Sequence, residues 1–230
     1  MSDDRAEPGA PSQSTAKVVV FDFDGTLVSR DSFLGFAFVY CARRPWRLLF
    51  VVALLLIALP IALRSWRRAA AVLVWGLTLG TSTRRFARAL HRYARQTLPS
   101  YANDAIFDEL EAQIQAGHRV VIATGSLPLL VRGLFRARKL SLIPIVGSRL
   151  RRRWGGLVTE THCIGKTKVR ELQRKLGIVE WSAVYTDSFA DRSLLRGART
   201  ITLVSPSNRT LRRTERLIDD TTVLRVLRRG

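Results

Sequence analysis

Two short apolar runs, each leading into a pair of aspartates, constrain this chain more than any other feature. Val18-Val19-Val20-Phe21 leads into Asp22-Phe23-Asp24-Gly25-Thr26, and Ala183-Val184-Tyr185 leads into Asp187-Ser188-Phe189-Ala190-Asp191. Short uninterrupted apolar runs bounded by turn residues read as buried strands, and Asp-Gly-Thr suits a backbone that must leave a sheet sharply. In an open α/β sheet, residues just past the carboxyl ends of neighbouring strands converge on one crevice. Two acidic pairs this far apart in sequence can therefore share one cation.

The remaining pattern agrees. Residues 102–116 predict an amphipathic helix closed by Gly117, and His118 to Thr124 a second β-branched run followed by Gly125-Ser126. Further strands are expected at 142–148, 182–186 and 199–204, and helices at 167–176 and 190–197. Strands alternating with helices predict an α/β fold with a doubly wound parallel sheet. Residues 149–160 read instead as a hairpin, with Gly155-Gly156 after Trp154 supplying positive φ angles, and such an arm could flank the site. The expected division is a flexible leader (1–16), a core (17–30 and 101–206), an insert (31–100) and a basic tail with no assigned role (207–230). The leader has no apolar h-region, so it is not a secretory signal, and the protein is expected to stay in the cytoplasm.

Charge narrows the partners only in part. The chain has 38 Lys+Arg against 18 Asp+Glu, a formal charge of +20, so it attracts nucleic acid, anionic lipid or acidic protein alike. With no helix-turn-helix, zinc-finger or RNA-binding motif, nucleic acid is not an expected partner. Cys41 and Cys163 form no Cys-x-x-Cys pair, which suits a reducing compartment and suggests no zinc site.

The insert is the oddest stretch. Leu48 to Leu63 is 16 residues without a charge, and Ala69 to Thr81 is a second uncharged run beyond Arg64-Ser65-Trp66-Arg67-Arg68. A helix of the first run would be about 24 Å long against a hydrocarbon core of roughly 30 Å, and Pro60 weakens its last turn. Asp22 precedes the insert while Thr124, Lys166 and Asp187 follow it, so both its ends must lie on one side. Two crossings would carry Arg64, Arg67 and Arg68 to the far side, against the tendency of arginine to stay cytoplasmic. The expectation is a membrane-embedded hairpin that does not cross. Arg43, Arg44, Arg47, Arg84, Arg85 and Arg88 would sit at headgroup level beside Trp46, Trp66 and Trp75. The plainer alternative is an apolar helix pair in a soluble cap.

The order Asp22-x-Asp24-Gly25-Thr26, strand-end Thr124, Lys166 and Asp187-x-x-x-Asp191 resembles the haloacid dehalogenase superfamily of aspartate-nucleophile phosphatases. Other segments are similar to its phosphatidylglycerophosphatase C branch, from about residue 18 to about residue 206. They are Asp31-Ser32-Phe33, the apolar insert with Trp75-Gly76, Ala123-Thr124-Gly125-Ser126, Trp154-Gly155-Gly156 and Cys163-Ile164-Gly165-Lys166. The resemblance implies a haloacid dehalogenase-like core with a helical, strongly apolar cap. It also implies dephosphorylation of phosphatidylglycerophosphate to phosphatidylglycerol in phospholipid biosynthesis. An anionic phospholipid substrate and the membrane would be the partners, with the catalytic core on the cytoplasmic face of a bacterial inner membrane.

The chemistry can be built beside that resemblance. A phosphate monoester carries nearly two negative charges at neutral pH and repels a carboxylate nucleophile, so a cation and hydrogen-bond donors must bring them together. An oxygen-only donor set suits Mg2+. Asp22 would be nucleophile and metal ligand, with the Asp24 carbonyl and the Asp187 carboxylate completing the protein ligands. The Asp24 carboxyl would protonate the leaving oxygen and then deprotonate the hydrolytic water. Thr124, Gly125 and Ser126 would hold the phosphate, Lys166 would neutralise charge, and Asp191 would orient the metal shell.

Each residue also has a plainer role. Asp24-Gly25 is a common turn, Thr124 could cap a helix starting near Leu127, Lys166 could be solvated, and Asp187 and Asp191 could be a cap and a surface charge. Gly165-Lys166-Thr167 fails as a phosphate-binding loop, because that motif's first glycine falls on Glu160. The nearer competing function is a soluble phosphatase of phosphoserine or a similar metabolite; the remoter one is a nucleic-acid-binding basic protein, prompted by the charge of +20 and the arginine clusters at 149–153 and 209–216.

Overall fold

A computed structural model describes residues 16–43 and 45–228 of the chain, so the expected leader lies almost wholly outside the described residues. In chain order the elements are β1 (Val18–Phe21), α1 (Ser32–Ala42), α2 (Pro45–Arg64), α3 (Trp66–Thr78), α4 (Thr83–Gln96), α5 (Asp104–Gln115) and β2 (Arg119–Ala123). Then follow α6 (Pro128–Ala137), β3 (Ile145–Val146), β4 (Arg149–Arg153), β5 (Gly156–Thr161), α7 (Lys166–Leu176) and β6 (Ala183–Thr186). The chain closes with α8 (Arg192–Leu195), β7 (Thr200–Val204), α9 (Asn208–Glu215) and β8 (Val223–Leu227).

Six strands form one parallel sheet in the order β3-β2-β1-β6-β7-β8. Strand side chains alternate between faces, and both faces of this sheet are covered. Val19, Phe21, Val120 and Ile122 face a core built with α1, α4, α5 and α6; Val20, Val121, Ala123 and Val184 face one built with α7 and α8. The central pair β1 and β6 is buttressed by Phe21 stacked on Tyr185, ring centroids 4.1 Å apart. These strands aim Asp22 and Asp187 at the same end of the sheet.

The last strand is a correction to the expected boundaries. The described part of the expected tail, residues 207–228, is not outside the core: β8 pairs along β7 from Thr200↔Val223 to Val204↔Leu227, and α9 bridges the two. Arg225 interrupts the apolar signal of β8, since an edge strand needs only one buried side. β3 is shorter than the expected 142–148. The β4–β5 hairpin forms, but its turn uses Trp154 (φ 46) and Gly155 (φ 76), one residue earlier than the glycine pair suggests. Positive φ at both central residues marks a type I′ hairpin turn, and Trp154 accepts it at the exposed tip.

Residues 32–96 supply α1 to α4, with α2 and α3 packed as a helical hairpin. Among the described residues no helix is long and apolar enough to cross a membrane. Arg47 and Trp75 do not take the place the expected headgroup belt gives them. Arg47 is buried, and its guanidinium donates to Leu77 O (2.8 Å), Leu79 O (3.4 Å), Thr81 Oγ1 (2.7 Å) and Tyr40 Oη (3.1 Å). It thereby ties the start of α2 to the carbonyls at the end of α3. Trp75 donates from Nε1 to Trp154 O (3.0 Å), which docks the β4–β5 hairpin on α3. Arg44 lies outside the described residues.

Candidate active site

Asp22 directly follows β1. Its amide donates to Tyr185 O (2.9 Å), which extends the sheet pairing by one residue, and its Oδ1 accepts from Phe23 N–H (2.8 Å). The same oxygen lies 2.8 Å from Lys168 Nζ, and that ammonium is also 2.8 Å from Asp191 Oδ2. Thr186, the last residue of β6, donates to Asp191 Oδ2 at 2.9 Å. The result is a buried chain of Asp22, Lys168, Asp191 and Thr186, with Lys168 only 3% exposed. Two carboxylates hold the Lys168 pKa above its ordinary value even though burial alone would lower it.

The lysine is the main correction to the site. Lys166 opens α7 and is exposed, so it does not supply the buried charge. Two residues along a helix turn it through about 200°, so only one of Lys166 and Lys168 can face inward. A sequence signal for the right one existed. Lys168 stands four before Leu172 on the stripe that continues to Leu176, and residues four apart share a helix face.

Asp24 accepts the Ser32 amide at Oδ1 (2.8 Å), which places the first turn of α1 at the mouth of the site. Burial pushes the Asp24 carboxyl up to about 6, against the lowering effect of that hydrogen bond. Burial likewise raises Asp22 well above the ordinary aspartate value, opposed by the Lys168 charge. Gly25 takes φ +78, and a Cβ there would collide with the Asp187 carboxylate. Thus Asp187 lies on the Gly25 backbone, beside the peptide that carries the Asp24 carbonyl.

Thr124 follows β2 and is buried, with Oγ1 accepting from Ser126 N–H (2.9 Å). It organises the Thr124-Gly125-Ser126 turn rather than capping α6, which starts after Leu127. Ser126 Oγ lies 2.7 Å from Ser32 Oγ, joining this turn to α1. Gly125 O accepts from Ser148 Oγ (2.6 Å), and Ser148 Oγ accepts from Cys163 N–H (2.9 Å), fixing the turn from behind. The sequence reading missed Lys168, Thr186 and Ser32. The two hydroxyls are common residue types at element ends, and only their partners distinguish them.

Among the described residues no three His, Cys, Asp or Glu side chains form a ready metal cage. The expected set of two carboxylates and one carbonyl asks for less, and its chemistry fits a hard divalent cation. The Asp22 and Asp191 carboxylates pair with one buried ammonium, and the Asp24 and Asp187 carboxyls flank Gly25 beside them. Any further anion entering here needs added positive charge.

A family profile for haloacid dehalogenase-like hydrolases matches residues 19–196. The chain belongs to that family. Its fold is shared by a protein of unknown function from Bordetella pertussis Tohama I, with TM-score 0.71, 18% identity, and coverage of 92% of this chain and 99% of that one. A substrate-bound phosphoserine phosphatase matches with TM-score 0.58 and 15% identity over 93% and 94% of the two chains. A phospho-aspartyl intermediate analogue of phosphoserine phosphatase matches with TM-score 0.52 and 16% identity over 91% and 93%. These neighbours carry no sign of the phosphatidylglycerophosphatase C branch. The placement in a bacterial inner membrane is overturned: no described helix can span one, and Arg47 and Trp75 are engaged inside the protein.

Proposed function

We propose that this haloacid dehalogenase-like hydrolase is a magnesium-dependent phosphatase of small phosphorylated metabolites of the phosphoserine type, working through an aspartyl-phosphate on Asp22. The observation that carries the reading is the buried Asp22–Lys168–Asp191 chain at the carboxyl end of β1 and β6, beside an Asp24 carboxyl raised to about 6. The fold of the phosphoserine phosphatases named above supports the substrate class.

Asp22, the Asp24 carbonyl and Asp187 would hold the magnesium ion, whose charge would offset the repulsion between phosphate dianion and carboxylate. Asp22 would attack phosphorus with one carboxylate oxygen and hold the metal with the other, while Oδ1 also accepts from Phe23 N–H and pairs with Lys168. As the P–O bond to the substrate breaks, Asp24 gives its proton to the leaving alkoxide. It then takes a proton from water, which attacks the acyl phosphate, releases inorganic phosphate and restores the Asp22 carboxylate. With a value near 6, about a tenth of Asp24 is protonated at pH 7, which suits a group that must act as acid and then as base. Lys168 opposes the rise that burial causes in Asp22 and so favours its charged form, Asp191 holds Lys168, and Thr124, Gly125 and Ser126 present the phosphate cradle.

A second reading has one observation in its favour. Leu49, Val52, Leu55, Leu56, Leu59 and Leu63 are exposed along α2, and Leu34 and Phe38 along α1. An apolar surface this large favours an amphiphilic phosphomonoester such as phosphatidylglycerophosphate as substrate and an anionic lipid surface as partner. Magnesium-dependent phosphate release from phosphoserine, and from phosphatidylglycerophosphate in detergent micelles, separates the two. Asp22→Asn should reduce either to the blank. Turnover of phosphoserine alone supports the first reading, turnover of the lipid alone the second, and activity retained by Asp22→Asn would refute the nucleophile.

A further inference from the structure

Five arginines gather at the same end of the sheet as the catalytic residues, on elements the reaction does not use. Arg209, Arg212, Arg213 and Arg216 come from α9 and the residue after it, and Arg192 opens α8. They line two adjoining clefts of about 370 and 340 Å³. The first adds Ser188, Phe189 and Thr210 to Arg192, Arg209 and Arg213; the second is lined by Arg209, Arg212, Arg213, Arg216 and Asn208. Arg209 and Arg213 form the wall between them. Among the described residues, none of the five arginines lies within ion-pair distance of a carboxylate.

This arrangement works against the helix that carries it. Arg209 with Arg213, and Arg212 with Arg216, are like charges four residues apart, a spacing that destabilises a helix, and α9 has no acidic residue in its first turn. Arg213 is partly held by the Phe189 ring, its guanidinium carbon 5.7 Å from the centroid. Planar guanidinium groups match phosphate oxygens two at a time, and an anion between them would relieve the repulsion.

We propose that the twin cleft is a second anion site, distinct from the phosphate cradle at Thr124, which takes a compact polyanion with two adjacent phosphate groups. Two cups sharing a wall of two arginines fit a diphosphate better than a single phosphate. The site is also placed to affect catalysis. Ser188, Phe189 and Ala190 form one wall and are the segment joining Asp187 to Asp191. A ligand pressing on this wall acts on both carboxylates.

The test is calorimetric titration of the full chain with inorganic pyrophosphate, with orthophosphate beside it, in the presence of a chelator so that no turnover occurs. Arg209→Ala/Arg213→Ala should weaken pyrophosphate binding at least tenfold. Arg84→Ala/Arg88→Ala removes the same charge at the same helical spacing from an exposed face of α4 and should change it less than threefold. Thermal melts of both double variants confirm folding. Equal weakening in the two variants would mean that the net charge of +20 attracts anions without a site, and no saturable binding would likewise overturn the proposal. Orthophosphate bound as tightly as pyrophosphate would refute the two-phosphate ligand. Because the readout is binding alone, it stands or falls independently of the proposed phosphatase activity.

Discussion

Replacing Lys168 with methionine tests the centre of the site, because it removes the one ammonium between Asp22 and Asp191 while keeping most of the side-chain volume. Both pairs are 2.8 Å long, and their carboxylates are 11% and 3% exposed. Water cannot take over solvation of the orphaned charges. Breaking a buried pair by removing one partner costs about 3–5 kcal/mol. A second route gives the same size: a carboxyl with an ordinary value near 4 that must stay neutral at pH 7 costs about 4 kcal/mol. Denaturant titration at pH 7 should therefore show Lys168→Met destabilised by about 3–5 kcal/mol, with the loss shrinking toward pH 5 as protonation becomes easier. The raised Lys168 value keeps the lysine charged throughout this range, so the pH dependence comes from the carboxyls. Phosphatase activity should disappear even where the variant is folded. Lys166→Met, on the exposed face, should stay within about 0.5 kcal/mol of the parent. Equal stability of the two variants, or loss of activity only in Lys166→Met, would refute the assignment of the buried lysine.

Gly25→Ala combines a positive φ with a Cβ directed into the Asp187 carboxylate; activity should fall at least a hundredfold with a stability loss of about 1–3 kcal/mol, checked by turnover and thermal melting. Arg47→Leu leaves the Leu77 and Leu79 carbonyls without their donor, and should cost about 2–4 kcal/mol and speed proteolysis between α2 and α3. Glu171 is held down to about 2 first by its hydrogen bond to Arg174 and then by Lys175. A lowered folded-state value stabilises above the unfolded value and is lost as pH falls through the folded one. Because Arg174 is exposed, solvent screens the pair, so Glu171→Gln should be only slightly less stable than the parent at pH 7, with the difference vanishing as pH falls through about 2.

Much of this protein was legible one element at a time. A buried strand must be apolar on both faces, and a chain leaving it for chemistry must turn at once, so Asp22, Asp24 and Asp187 announce themselves beside Val18–Phe21 and Ala183–Thr186. The amphipathic pattern before Gly117, the run to Thr124 and the hairpin around Trp154 follow from equally local rules. The insert was harder. An apolar run of 16 residues reads the same whether lipid, protein or solvent lies beside it, and a buried arginine reads like a surface one. Only folding revealed that Arg47 turns inward to the end of α3 and that Trp75 holds the β4–β5 hairpin. The choice of Lys168 over Lys166, the entry of β8 into the sheet and the convergence of arginines from α8 and α9 were also settled by tertiary structure. The physical reason is common to all of them: sequence spacing sets the direction of a side chain from its own helix or strand, whereas the group it meets is set by where other elements pack.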